Sequence, residues 1–230
     1  MTHEILAKTF DQWSAEGRGA EMEHEHGDVA RQVIAQMGIR AGDQVLDLGC
    51  GNGWATRLLA KASAGVQAMG VDVAPAMIAE AERLHSLTIR ARYHVCPFEQ
   101  LDLPDARFQR VFSMEALYYA VDLERAFAEM LRVMRPGATC DIVVDYYKDS
   151  AATACWASKT GVAMHYLSES EWKLALARAG FVDATATRVV DSRGAGEPAR
   201  FTPSCCYPDW ATWHAVRSAG SLWLRASKAK

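Results

Sequence analysis

The chain has 230 residues, half of them apolar and 23% charged. That is about one and a half typical domains with enough apolar material for one packed core, which excludes global disorder, a fibrous repeat and two large independent domains. Acids outnumber bases, for a net charge of -3, so no global basic field favours nucleic acid or anionic lipid as a partner.

Residues 1–40 read as a helical, partly polar lead-in or cap. Residues 1–20 carry Glu4, Asp11, Glu16 and Arg18 among scattered apolar positions, which matches neither a secretory nor a transit segment, and no apolar run approaches the roughly 20 residues that span a bilayer. A cytoplasmic protein is expected. His24 and His26, flanked by Glu23 and Glu25, are two residues apart, a spacing that puts their rings on different sides of a helix. The segment is therefore read as solvated rather than metal-binding. From residue 44, short apolar runs alternate with helical patterns, the mark of βαβ units. Strands are predicted at 44–48, 67–72, 91–95, 110–114 and 138–147, with a helix over 54–62 after the first. After the fourth strand, Leu123, Ala126, Phe127, Met130, Leu131 and Met134 make one apolar stripe at helical spacing, stopped by Arg135-Pro136-Gly137. Ser168 and Glu171 form a capping box for a helix to Ala179, with Gly180 as its left-handed end. Runs 182–190 and 221–226 read as an antiparallel C-terminal edge hairpin, and 191–219 as a loop with a short helix. The six cysteines lack C-x-x-C spacing and are expected as reduced thiols. The fold class is therefore α/β, a Rossmann-like three-layer sandwich with a mostly parallel seven-stranded sheet, as a single domain over 1–230.

The most informative stretch is Asp47-Leu48-Gly49-Cys50-Gly51-Asn52-Gly53, a strand running into three alternate glycines and a helix. Such glycines allow a tight turn and close approach to a ligand. The dinucleotide fingerprint would place its third glycine at position 54, where Trp54 stands, so a nicotinamide or flavin cofactor loses ground. Asp47 beside the turn repels a pyrophosphate and attracts an ammonium group. S-adenosylmethionine carries an ammonium and no phosphate. Asp72, at the tip of the second strand, can accept hydrogen bonds from both ribose hydroxyls.

With these motifs the sequence resembles the class I S-adenosylmethionine-dependent methyltransferases over roughly residues 40–147. Asp47-x-Gly49-x-Gly51-x-Gly53 matches the family's first motif, and Glu99-Gln100-Leu101-Asp102-Leu103-Pro104 and Arg132-Val133-Met134-Arg135-Pro136-Gly137 also look like it. The resemblance implies a methionine moiety along Gly49, Cys50, Gly51 and Gly53, a ribose on Asp72, and an adenine walled by Val73 and Met77. Pro97 stands where many relatives place an aspartate for the adenine amino group, which leaves the Phe98 N–H and the Glu99 carboxylate as the adenine contacts.

The implied reaction is in-line methyl transfer to a small-molecule acceptor, in which alignment and exclusion of water do most of the work. Met114 is expected against the cofactor. Glu115, Tyr118 and Tyr119 after the fourth strand, Tyr146 after the fifth, and His165 as a candidate base are expected to line the acceptor site. Residues 148–167 read as a lid, completed by Trp13, Arg18, Met22 and His24. An acid or Asn followed by Pro-Pro-aromatic is absent after the fourth strand, which disfavours DNA and protein glutamine. No metal is expected, and the chain is expected as a monomer or homodimer. The alternatives are a non-catalytic S-adenosylmethionine-binding protein of the same fold and a nicotinamide-dependent oxidoreductase.

Overall fold

The computed structural model describes residues 2–86 and 88–230. Its centre is a seven-stranded sheet of β1 (Gln44–Leu48), β2 (Gln67–Asp72), β3 (Ala91–Val95), β4 (Phe108–Met114), β5 (Met134–Val144), β6 (Phe181–Val189) and β7 (Ser221–Lys228), in the order β3-β2-β1-β4-β5-β7-β6. The first five strands pair in parallel, and β7 runs antiparallel to both β5 and β6. The expected C-terminal pair is present, with β7 inserted against β5 and β6 left at the edge.

Alternation along the strands sends successive side chains to opposite faces. Leu46, Leu48 and Val111 pack on one face with α5 (Leu123–Val133) and α7 (Glu169–Ala179), and Val45, Phe112 and Val143 on the other with α2 (Arg18–Gln36) and α3 (Trp54–Lys61). The result is three layers. The Ser168–Glu171 capping box and the left-handed Gly180, φ 101°, bound α7 as its sequence implies. Asp122 caps α5 by accepting the Arg125 N–H at 3.0 Å.

Two predicted boundaries move. α5 stops at Val133 and Met134 is already strand, paired with Phe108 and fully buried. The register slips between that pair and Arg110↔Thr139, so the Arg135-Pro136-Gly137 stretch sits in an irregularity of β5 where proline costs no ladder bond. At its other end β5 stops at Val144, which frees Asp145, Tyr146 and Tyr147 from the ladder.

The lead-in folds into α1 (His3–Ala15) and α2. α1 is fastened to the start of α4 (Pro75–Arg83) by Asp11, which accepts the Ala76 N–H at 2.8 Å. The 148–167 segment contains the short α6 (Trp156–Thr160), and α8 (Trp210–Ala219) precedes β7. No helix among the described residues is long and apolar enough to cross a membrane.

Candidate functional site

The strand order changes direction at β1, whose neighbours β2 and β4 both end beside its C-terminus. A crevice forms at such a switch point. Here it is a cavity of about 190 Å³, against about 10 Å³ for a second void beside Asp145 and Asp191. The smaller space holds one water at most.

One half of the cavity is built by the glycine turn. Gly49, Gly51 and Gly53 all have positive φ, at 74°, 51° and 76°. The Gly49 and Cys50 N–H groups donate to the Val71 carbonyl at 2.9 and 3.0 Å, and the Gly51 N–H donates to Asp72 Oδ2 at 2.9 Å. Asp72 Oδ1 accepts the Ala74 N–H at 2.9 Å. Both carboxylate oxygens are thus fixed by the backbone, each keeps further acceptor capacity, and Asp72 lines the cavity. Burial pushes the Asp72 carboxyl above its ordinary range, against the pull of those N–H groups. A Cβ on Gly49 would lie 2.2 Å from the Ala116 Cβ, and one on Gly53 2.4 Å from the Tyr93 ring. On Gly51 it would meet nothing nearer than Met77 Sδ at 3.9 Å. Gly51 therefore faces free space, while its neighbours serve packing.

Cys50, Val73, Met77, Phe98, Glu99 and Met114 also line the cavity. Burial raises the Cys50 thiol well above its usual range, so it is no thiolate nucleophile. Glu99 is already engaged: Oε1 accepts the Val121 and Asp122 N–H groups at 2.6 and 3.0 Å, and Oε2 lies 2.8 Å from His3 Nε2. It ties α1 to the start of α5, and an adenine amino group would have to compete for it.

Asp47 and Gly53 lie off the cavity wall. Asp47 sits one layer beneath, 1% exposed, accepting the Thr56 hydroxyl at 2.6 Å. Burial, with the Asp72 charge adding and the Thr56 bond opposing, pushes its carboxyl up to about 7.

The other half of the cavity lies over the ends of β4 and β5. Glu115 has φ 53°, an uncommon conformation outside glycine. Its carboxylate folds back to accept the Asp145 N–H and, at 2.9 Å, the Tyr118 hydroxyl. Burial and the neighbouring Asp145 charge push the Glu115 carboxyl well up, and burial beside Glu115 does the same for the Tyr118 phenol. Tyr119, also on the wall, is half-buried against Phe10 and Trp13 of α1, with ring centroids 5.1 and 6.3 Å away. Arg18 lies over the Trp13 ring at 4.8 Å.

Two expected acceptor residues stand elsewhere. Tyr146 is covered by Tyr118, Trp156 and Tyr166 and does not reach the cavity. The His165 ring is spent on the Ala120 carbonyl, 2.9 Å from Nε2, so it splints the turn after β4 rather than facing a substrate.

Of the lead-in residues, Trp13, Arg18 and Met22 line the cavity and His24 is exposed. The residue taking its place is His26, 4% exposed and on the wall, so the solvated reading of this segment fails there. The helical spacing from Met22 to His26 carried that signal. His3, which also lines the cavity, and Asp145, which lies behind it beside the second void, were likewise not singled out as site residues; Trp156 and Cys206 bring the 148–167 and 191–219 segments onto the wall.

A methyltransferase-domain family model matches residues 45–137. The chain is 30% identical over 171 residues to the 2-methyl-6-phytyl-1,4-hydroquinone methyltransferase of Synechocystis sp., covering 64% of this chain and 52% of that protein. It is 34% identical over 110 residues to the malonyl-[acyl-carrier protein] O-methyltransferase of Serratia marcescens, covering 48% and 41%. Among solved structures it superposes, with a TM-score of 0.87 and 28% identity, on a chain from the complex of the Haloferax volcanii Trm112 methyltransferase activator, covering 96% of this chain and 98% of that one. The chain spans about half the length of the curated relatives it matches. Switch-point cavity, left-handed glycine turn and aimed Asp72 define a nucleoside-binding Rossmann-like domain. Joined to these matches, they give residues 45–137 as a methyltransferase domain and make the chain similar in sequence and fold to the S-adenosylmethionine-dependent methyltransferases.

Proposed function

We propose that the protein transfers the methyl group of S-adenosylmethionine to a small-molecule acceptor. The observation that carries this reading is one continuous cavity, lined by Gly51 and Asp72 of the cradle, by Glu115, Tyr118 and Trp156, and by residues of α1 and α2. The residues fit the cofactor: Gly51 leaves free space where a side chain would intrude, and Asp72 offers two oriented oxygens for a ribose. When bound, the cofactor supplies an activated sulfonium methyl. The chain's own part is to hold the acceptor in line with it and keep water out. The apolar and aromatic wall of Leu6, Phe10, Trp13, Tyr119 and Met164 supports an acceptor with an apolar or aromatic body. The acids Glu21 and Glu25 set against Arg18 support a neutral or cationic one over a polyanion.

In this reading α1, α2 and the 148–167 segment act as cap and lid, and the protein works in the cytoplasm. The test is release of S-adenosylhomocysteine against a library of small amines, phenols, quinones and carboxylates. Turnover with a subset, lost in Asp72→Ala, is expected; tight cofactor binding with no turnover would favour the non-catalytic alternative.

A second reading concerns partners. The match to a chain solved with the Trm112 activator extends over nearly all of both proteins, which supports an activator protein binding this chain too. Full activity and solubility of the isolated chain would argue against dependence on such a partner.

A further inference from the structure

Three buried side chains from separate elements converge where β4 and β5 end: His26 of α2, Glu115 and Asp145. One donor atom from each lies within 4.8 Å of the other two, and the residues are 4%, 6% and 5% exposed. Two carboxylates this close and this buried cannot both stay ionised without a compensating cation. Among the described ion pairs, the one that reaches either acid is His26 Nδ1 to Asp145 Oδ2, at 3.6 Å, too long for a hydrogen bond. His26 Nδ1 and Asp145 Oδ1 are both buried without a hydrogen-bond partner. Such orphaned atoms are rare in folded proteins and call for an explanation.

We propose that His26, Glu115 and Asp145 form a binding site for one divalent transition-metal ion. An ion of charge two neutralises the carboxylate pair and gives the orphaned nitrogen and oxygen a ligand in common. One imidazole with two carboxylates suits Mn²⁺, Fe²⁺ or Zn²⁺ better than the all-oxygen preference of Ca²⁺ and Mg²⁺ or the thiolate preference of Cu⁺. The surroundings fit as well. With Nδ1 on the metal, the other ring nitrogen lies on the side of the Glu25 carboxylate, 3.9 Å from Nε2, the group that would have to close up to hydrogen-bond distance to orient a metal-bound imidazole. The Asp145 N–H and Tyr118 O–H bonds fix the Glu115 carboxylate while leaving it further lone pairs.

His26 and Glu115 line the large cavity, so a ligand position on the ion opens toward the acceptor. Glu115 also precedes Ala116, the residue packed against Gly49 of the cofactor turn. An ion there would hold an acceptor oxygen beside the methyl donor. That role rests on the small-molecule reading above, whereas metal binding does not.

The test is calorimetric titration of the chelator-treated full chain with MnCl2 and with ZnCl2, joined by electron spin echo spectroscopy of the Mn²⁺ form. One ion per chain is expected, with a single imidazole nitrogen on the Mn²⁺. Affinity should fall at least tenfold in His26→Gln and in Asp145→Asn and stay unchanged in His24→Ala. No uptake, no nitrogen ligation, or an affinity that follows His24 instead of His26 would overturn the proposal. The wild-type spectrum decides the matter even where a variant fails to fold. S-adenosylmethionine binding to the metal-free protein, measured in parallel, separates loss of this site from failure of the methyl-transfer reading.

Discussion

The three glycines of the cofactor turn look alike in sequence and differ in what surrounds them, which predicts different failures for the same substitution. Gly49→Ala sets a Cβ 2.2 Å from the Ala116 Cβ and 3.2 Å from the Phe98 ring, well inside the roughly 3.5–4.0 Å at which carbon atoms rest. The left-handed backbone costs an alanine about 1–2 kcal/mol, and relieving the overlap costs about 1–3 more. For a chain of this size the sum lowers the melting temperature by roughly 4–20 °C. Gly51→Ala carries the backbone cost alone, since Met77 Sδ at 3.9 Å is an ordinary contact; a fall of roughly 2–8 °C is expected. Its methyl group enters the space proposed for the cofactor, so the affinity for S-adenosylmethionine should drop at least tenfold with the fold intact. Thermal melts paired with calorimetric titration of S-adenosylmethionine and S-adenosylhomocysteine read both quantities. Near-wild-type affinity in a folded Gly51→Ala would show that the turn is not the cradle, and an unshifted melt in Gly49→Ala would show that the packing argument is wrong.

Asp72→Asn keeps the shape of Asp72 but turns an amide toward one of two backbone N–H donors; a loss of about 1–3 kcal/mol in stability and at least tenfold in cofactor affinity is expected from urea melts and calorimetry. Asp191 is buried, which by itself would raise its carboxyl, yet hydrogen bonds from Arg193 and the charge of Arg217 hold it at about 2. A depressed carboxylate stabilises the fold above its unfolded value of 3.8, so on the order of 2 kcal/mol should be lost as pH falls from about 4 to 2; an Asp191→Asn melting profile with the same acid slope would contradict this. Asp47 has the opposite sign. With its folded value raised to about 7 from 3.8, the native state holds a proton that the unfolded chain has released, so stability declines as pH rises from 4 toward 7 and then levels. Asp47→Asn should flatten that part of the profile, and urea melts at pH 5 and pH 8 that differ as much in the variant as in the wild type would refute it.

What was legible in the sequence follows the range of the forces involved. The glycine turn is written in neighbouring residues, because a left-handed φ and a close approach leave glycine as the one unstrained choice, and Asp72 is one strand-length beyond a short helix. The capping box at Ser168 is equally local. Strand ends were harder: Met134 continues the apolar stripe of α5 and is buried as that stripe requires, but it is buried from the first position of β5, paired with Phe108. Periodicity records that a residue is buried and not by which element.

The acceptor half was read least well because its residues acquire their roles across the fold. His165 has the chemistry of a base, yet the Ala120 carbonyl claims its ring. His26 gains its surroundings from three separate elements. α2 is pinned against the C-terminal segment, where Asp28 accepts the Ser192 N–H and hydroxyl at 2.7 and 2.8 Å and where Arg193 and Arg217 donate to the Glu25 carbonyl at 3.0 and 3.1 Å. Both arginines are held in turn by Asp191. The same contacts therefore set the depth of His26 and anchor the roof of the cavity. Loss of Asp191 should then reach the site at a distance: Asp191→Ala strands two arginines beside the Glu25 carbonyl, and loosening of α2 should appear as faster hydrogen exchange across residues 22–30. Exchange there that matches the wild type would separate the stability of this cluster from the shape of the site.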